Sequence, residues 1–379
     1  MDRIKTAVFG CGIISEIYFT NMMQTYNSLD VVACTDLNAE AAQKRAAQFG
    51  IEARTAEDIL ADPEIQLICV FTPAPAHYTL IKQALLAGKH VYTEKPLTPD
   101  LAEGKEVLAL AEDRQLMLGS APETFMGSCF QTGRKAIDDG VIGAVTGFSV
   151  SANRDTDLTG ALYPFIRKPG GDICSDYGIY YLTALISLLG PVSEVFAYTA
   201  NHRLERVNSF PGHPEQGQTY IYDNESQVNA VLKLKSGVTG CFALNGDSNF
   251  QDAGLFHIYG EKGILQLGDA NQFGAPAAII PNDYSVFTNW RTIQPQVLEP
   301  VSDLTAFNCR GIGPSEMGAA IASGKTSIVD ARISLHVLDV IRCIRLSGRM
   351  HTTVQTETTC EIPAPFRNVQ ALMKKRTSK

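Results

Sequence analysis

Over the first third of the chain, short apolar runs alternate with amphipathic ones. Residues 4–9, 31–35, 66–71, 90–93 and 116–119 read as strands, and helical patterns fill 13–25, 38–49, 76–87 and 101–113. Gly50 and Gly88 stand just past the second and third helices, where a left-handed cap closes a helix. The strands are continuous apolar runs, the pattern expected when a sheet is covered on both faces. Repeated strand–helix alternation implies parallel pairing, because parallel strands need crossovers. Residues 1–121 are therefore expected to form a doubly wound parallel α/β sheet.

Beyond residue 122 the period changes. Longer alternating strands are predicted at 145–153, 192–200, 227–235, 238–245 and 253–259, with turns at Ser236-Gly237 and Glu261-Lys262-Gly263 that suggest hairpins. Helices are expected near 125–139, 173–189, 314–323 and 328–347. Residues 122–379 thus read as an α+β domain on an open, largely antiparallel sheet, with the Pro- and Asn-rich stretch 270–300 as a surface excursion. Two unequal domains also suit a length of 379 residues.

Charge narrows the partners. Lys plus Arg number 32 against 40 Asp plus Glu, a formal net charge of −8. Such a chain repels phosphate, so neither nucleic acid nor an anionic membrane is an expected partner. Lys374-Lys375-Arg376 reads as a solvated tail. The nine cysteines are odd in number and form no CxxC, which points to reduced, buried thiols, Cys34, Cys69 and Cys241 among them, and not to disulfides or a metal site. No run reaches 18 uninterrupted apolar residues, and Met1-Asp2-Arg3 leads straight into a strand pattern with no room for a signal peptide. The expectation is a soluble cytoplasmic protein.

Four motifs carry chemistry. Gly10-Cys11-Gly12-Ile13-Ile14-Ser15 is a GxGxxS between the first strand and its helix, and Asp36 ends the second strand 26 residues after Gly10. Gly10 permits the tight turn, Gly12 lets a pyrophosphate approach the backbone, and Ser15 is small enough for helix–strand packing. Asp36 can accept from ribose hydroxyls and would repel a 2′-phosphate, which favours NAD over NADP. Thr72-Pro73 and His77 follow the third strand, at the edge where ligands bind such sheets. Alone, His77 reads as a capping or packing residue. Glu94-Lys95-Pro96 ends the fourth strand. Neighbouring Glu and Lys are ordinarily a surface pair, but an ammonium at this edge can polarise a substrate oxygen. In the block Gly170-Gly171-Asp172 to Leu182, Asp176 and Tyr180 share a helix face. A carboxylate there can orient the phenol, although this spacing is commonly a plain surface hydrogen bond.

Together these motifs resemble the glucose–fructose oxidoreductase/inositol dehydrogenase/rhizopine catabolism family, over residues 4 to 362. The resemblance implies a Rossmann domain followed by an open-sheet domain that forms the substrate site, and association as a homodimer or homotetramer. It implies cofactor contacts at Gly10, Gly12, Ile13, Ile14 and Asp36, with Thr72, Pro73, His77, Glu94 and Lys95 around the nicotinamide and its ribose. Lys95 corresponds to the family's catalytic lysine. Many members carry DxGxHxxD, whereas this chain has Tyr180 in place of the histidine and Thr183 in place of the last Asp. It is therefore similar to the tyrosine branch, with Tyr180 as acid–base group and Asp176 its orienting partner. Asp172 replaces the third glycine and adds a negative charge to the loop. Arg154, Tyr163, Arg167 and Lys168 are candidate donors to substrate oxygens, each also an ordinary surface or packing residue, and Cys174 reads as packing. The activity implied is hydride transfer between NAD and a carbinol carbon of a sugar, inositol or related polyol. A dinucleotide-sensing regulator and an NAD-dependent glycoside-cleaving enzyme remain open alternatives.

Overall fold

The structure, a computed structural model, describes residues 3–168, 170–282, 294–306 and 308–374. It divides into two compact units, one of Met1–Gly127, Ser302–Leu335 and Pro363–Lys379, the other of Ser128–Val301 and His336–Ile362.

The first unit is built on six strands: β1 (Ile4–Phe9), β2 (Leu29–Thr35), β3 (Glu52–Ala53), β4 (Leu67–Val70), β5 (His90–Thr93) and β6 (Leu118–Ser120). Their order is β3-β2-β1-β4-β5-β6, with every pair parallel. β4 is wholly buried, as a central strand covered on both faces must be. The five expected strands are present. The edge strand β3 escaped prediction because its two residues are exposed and carry no apolar signature.

Helices α1 (Ile13–Thr20), α2 (Ala39–Phe49), α3 (Ala56–Ala61), α4 (His77–Leu86) and α5 (Leu101–Asp113) make the crossovers. Asn38 caps α2 by accepting the Glu40 and Ala41 N–H groups, and Gly50 closes it at φ 68°. The helix expected over 13–25 instead changes at Asn21 into a π turn, Asn21–Thr25. The Asn21 side chain there donates to the carbonyls of Asn308 and Arg310.

The second unit contains α6 (Ser128–Asp138), α7 (Thr156–Leu162) and α8 (Ile179–Leu189), the last buried from Ile179 to Leu188. Its strands are β7 (Val145–Asp155), β8 (Val192–Ala200), β9 (Glu205–Val207), β10 (Thr219–Ile221), β11 (Gln227–Leu234), β12 (Thr239–Asn245), β13 (Asp247–Gly260), β14 (Gly263–Gln266), β15 (Ala278–Pro281), β16 (Gln296–Val297) and β17 (Val354–Gln355). Nine of them form one sheet, ordered β16-β15-β14-β13-β7-β12-β11-β8-β17, and β9 and β10 form a separate ribbon. Both expected hairpins occur, β11–β12 and β13–β14. Among the described pairs of this nine-stranded sheet, only β7 with β12 is parallel.

Two expectations need correction. Cys241 is exposed, because it lies on the outward register of β12, opposite in alternation to the buried Phe242 and Leu244. The stretch 270–300 is not simply an excursion: Phe273, Ala277, Ala278 and Ile279 are buried, and β15 and β16 join the sheet. Residues 283–293 of that stretch lie outside the described residues, as do Lys375 and Arg376 of the basic tail.

After β16 come α9 (Ile312–Ser323) and α10 (Ala331–Met350), and after β17 comes α11 (Val369–Leu372). α9 packs on β1, β2 and β6 of the first unit, and the Ser28 hydroxyl donates to the Ser315 carbonyl at 2.6 Å. Segments of the region 122–379 are thus part of the first unit's core. No helix among the described residues is long and apolar enough to cross a membrane.

Candidate active site

The turn after β1 is dictated by close approach. Gly10 has φ 99°, and a Cβ there would lie 2.7 Å from the carbonyl carbon and oxygen of Phe71. No L side chain fits. Gly12 caps α1 without a side chain, and nothing lies within 4 Å of where its Cβ would be. The start of α1 therefore borders open space at Gly12, flanked by exposed Ile13 and Ile14. Ser15 is buried, and its hydroxyl donates to the Gly12 carbonyl at 2.7 Å. Arg45 of α2 reaches the same carbonyl at 3.2 Å.

Asp36, at the end of β2, pins this turn. Its two carboxylate oxygens accept the Cys11 N–H at 2.7 Å and the Asn38 N–H at 2.8 Å. Each oxygen keeps a lone pair. A cavity of about 480 Å³ opens beside it, lined by Gly10, Asp36, Leu37, Arg54, Thr72 and Leu80 among others. The Thr72 hydroxyl is buried there without a hydrogen-bond partner among the described residues. A glycine cradle at a helix N-terminus, an acid at the second strand's end and an orphaned hydroxyl in one cavity fit a dinucleotide.

His77 is fully buried and braces two strand ends. Its ring nitrogens lie 2.7 Å from the Pro96 carbonyl and 2.9 Å from the Thr72 carbonyl. Burial pushes its pKa down, while the two carbonyl acceptors push it up. Glu94 is buried, and accepts the Tyr18 hydroxyl at 2.7 Å and the Lys95 N–H at 2.9 Å. Sequence reasoning missed Tyr18, Tyr92 and Glu123, which lie behind Glu94 in one hydrogen-bonded chain. Their only mark is polarity at positions that prove buried.

In the second unit, the helix expected over 173–189 begins as a π turn, Cys174–Gly178, and continues as α8. Asp172 is buried and caps this turn, accepting the N–H groups of Cys174 and Ser175, both at 3.0 Å. Its other oxygen is paired with Arg345. The extra negative charge expected in this loop is therefore compensated. Asp176 is paired with Arg154 at 2.7 Å, and the Arg154 guanidinium lies 4.7 Å from the centre of the Tyr177 ring. Tyr180, the first-turn residue of α8, is 8 % exposed.

The candidate substrate donors differ in commitment. Arg167 donates to the Gly160 carbonyl at 2.7 Å, pairs with Glu215 and covers the Tyr220 ring, so it braces its own loop. Tyr163 is exposed beside Phe165. Cys174 is buried, and burial pushes its thiol pKa up, as packing requires.

A doubly wound parallel sheet with this cradle, followed by an open mixed sheet, defines a dinucleotide-binding oxidoreductase architecture. Residues 4–121 match the oxidoreductase family with an NAD-binding Rossmann fold, and residues 130–266 match the C-terminal domain of the same GFO/IDH/MocA family. The chain belongs to that family. It is 42 % identical to the uncharacterized oxidoreductase YhhX of Escherichia coli over 230 residues, which is 60 % of each chain. With the scyllo-inositol 2-dehydrogenase (NADP(+)) IolW of Bacillus subtilis it shares 24 % identity over 94 % of this chain and 97 % of that one. The structure of levoglucosan dehydrogenase in complex with NADH superposes with a TM-score of 0.79 at 17 % identity, covering 94 % of this chain and all (100 %) of the other, and shows the shared fold.

Proposed function

We propose that the chain is an NAD-dependent oxidoreductase that exchanges hydride with a carbinol carbon of a sugar, inositol or related polyol. The observation that carries this reading is the Gly10–Gly12 turn held by Asp36 through the Cys11 N–H. Gly10, Gly12, Ile13, Ile14 and Asp36 would hold the adenosine and pyrophosphate, and Thr72, Pro73, Glu94 and Lys95 the nicotinamide end. His77 acts there through the Thr72 and Pro96 carbonyls. Asp36 accounts for NAD over NADP, since a carboxylate at this strand end repels a 2′-phosphate.

When bound, the dinucleotide supplies the hydride acceptor or donor. The protein's part is proton transfer and orientation. Tyr180 takes or gives the hydroxyl proton, and the Lys95 ammonium stabilises the developing alkoxide. Asp176 and Arg154, joined at 2.7 Å, act as one charged unit that orients Tyr180 and presents donors to polyol oxygens. Tyr163 and Lys168, both exposed, are the candidate donors whose side chains enter none of the hydrogen bonds and ion pairs described above. Support for a polyhydroxylated substrate comes from the inositol and levoglucosan dehydrogenases similar to this chain.

The test is a panel of sugars, inositols and sugar acids with NAD and separately NADP, read by reduced-nicotinamide absorbance. Lys95→Met is expected to remove turnover while leaving NADH binding largely intact, and Tyr180→Phe to lower kcat by at least about a hundredfold. Retained turnover in Lys95→Met overturns the assignment. NADH binding without turnover on any compound would favour a sensor, and splitting of a glycoside without net absorbance change would favour transient oxidation.

A further inference from the structure

Behind Glu94 lies a second carboxyl that the proposed chemistry does not use. Glu123 is 1 % exposed and Glu94 is 8 % exposed, and both approach one phenol: the Tyr18 oxygen is 2.7 Å from Glu94 Oε1 and 3.2 Å from Glu123 Oε2. Glu123 Oε2 also accepts the Tyr92 hydroxyl at 2.8 Å, and Glu123 Oε1 accepts the Gly311 N–H at 3.0 Å. Glu94 Oε2 accepts the Lys95 N–H.

Counting protons decides among the possible arrangements. Tyr18 has one hydroxyl proton and can donate fully to only one carboxylate. With both acids ionised, the other contact would set an anionic oxygen against a phenol lone pair, with two charges buried together. One added proton on Glu123 Oε2 satisfies every atom. Tyr92 donates to Glu123, Glu123 to Tyr18, Tyr18 to Glu94, and the Lys95 N–H closes the chain.

Glu123 is faced from α1 by Tyr18, from the turn after it by Tyr26, from β4 by Cys69, from β5 by Tyr92 and from just after β5 by Glu94. The segment before α9 adds Cys309, the Arg310 guanidinium and the Gly311 amide. Burial, then the Glu94 charge, push Glu123 upward, against Arg310 and the hydrogen bonds.

We propose that Glu123 keeps its proton and is a positioning residue: it donates to Tyr18, Tyr18 donates to Glu94, and Glu94 is thereby held as the single buried anion beside Lys95. This rests on the reading above that Glu94 and Lys95 frame the nicotinamide end. Ionisation of Glu123 reverses the direction of the chain, releases Glu94 and weakens dinucleotide binding.

The proton is read directly by infrared difference spectroscopy of the full chain. At a pH well above 7, where Glu316 has lost its proton, the carbonyl band of a protonated carboxylic acid is expected in the wild type, absent in Glu123→Gln, and moved to higher frequency in Tyr18→Phe, where its acceptor is gone. Positioning is read by titrating NADH against pH. The wild-type dissociation constant is expected to rise about tenfold on the alkaline side. Glu123→Gln, whose amide can donate to both phenols but has no proton to lose, is expected to lack that rise. Tyr18→Phe is expected to bind NADH about tenfold more weakly at every pH. Absence of the band, or an alkaline rise that persists in Glu123→Gln, overturns the proposal. Failure of the wild type to bind NADH at all would instead remove the oxidoreductase reading, and the infrared band would still locate the proton.

Discussion

The Asp172–Arg345 pair offers a quantitative test of how the second unit's helix is anchored. Asp172 is 3 % exposed at its side chain and Arg345 28 %. Asp172→Ala removes two things. The first is the cap on Cys174 and Ser175, for which about 1 kcal/mol is typical. The second is the counter-charge of Arg345, which keeps the Ser175 hydroxyl at 2.5 Å and the more distant Glu225 charge. Breaking a fully buried pair costs about 3–5 kcal/mol, and the partial exposure of Arg345 reduces this to about 2. The expected total is about 3 kcal/mol. Asp172→Asn keeps the cap oxygen and loses only the charge, so about 2 kcal/mol is expected. Arg345→Met should cancel most of that charge loss in a double mutant, giving a coupling of about 1.5–2 kcal/mol. Urea unfolding of the full chain, followed by circular dichroism, measures all four corners of the cycle. A coupling below about 0.5 kcal/mol would show that the pair is not what anchors the π turn before Tyr180.

Three further outcomes are expected. Gly10→Ala forces a Cβ against the Phe71 backbone at 2.7 Å with φ 99°; it should lose about 2 kcal/mol or more and its NADH-induced rise in Tm. Asp36→Ser leaves the Cys11 and Asn38 N–H groups with a weaker acceptor and should shift the NADP-to-NAD ratio of kcat/KM upward by about tenfold or more. Burial raises Glu316 to about 7 although it accepts from Ser327 and Ile328. Its folded pKa lies above the unfolded value, so the folded state binds more protons; stability should be full below about pH 4.5 and fall by about 3 kcal/mol as pH rises through 7. Glu316→Gln should flatten that slope in urea titrations at a series of pH values, and an unaltered slope would refute the assignment.

Several features were legible because they are local. The GxGxxS turn, Asp36 at the next strand's end and the Gly50 cap each depend on residues within one βαβ unit, where spacing alone fixes the geometry. Other features were not. Asp172 reads as an uncompensated charge until Arg345, 173 positions away, is seen beside it. The pairing of Asp176 with Arg154 on β7 is likewise invisible until the fold brings the two together. Glu123 has no local signature, since only the fold brings Tyr18 and Tyr92 to it.

The amino-acid order alone determined the parallel sheet of the first unit and the cradle at its edge. Apolar periodicity and positive-φ glycines act over a few residues, and burial on both faces leaves a readable pattern. The tertiary structure decided which later segments complete the first unit's core, which charges are matched, and which carboxyl keeps a proton. Those outcomes depend on desolvation and on hydrogen-bond partners from distant elements, and neither is encoded at the position itself.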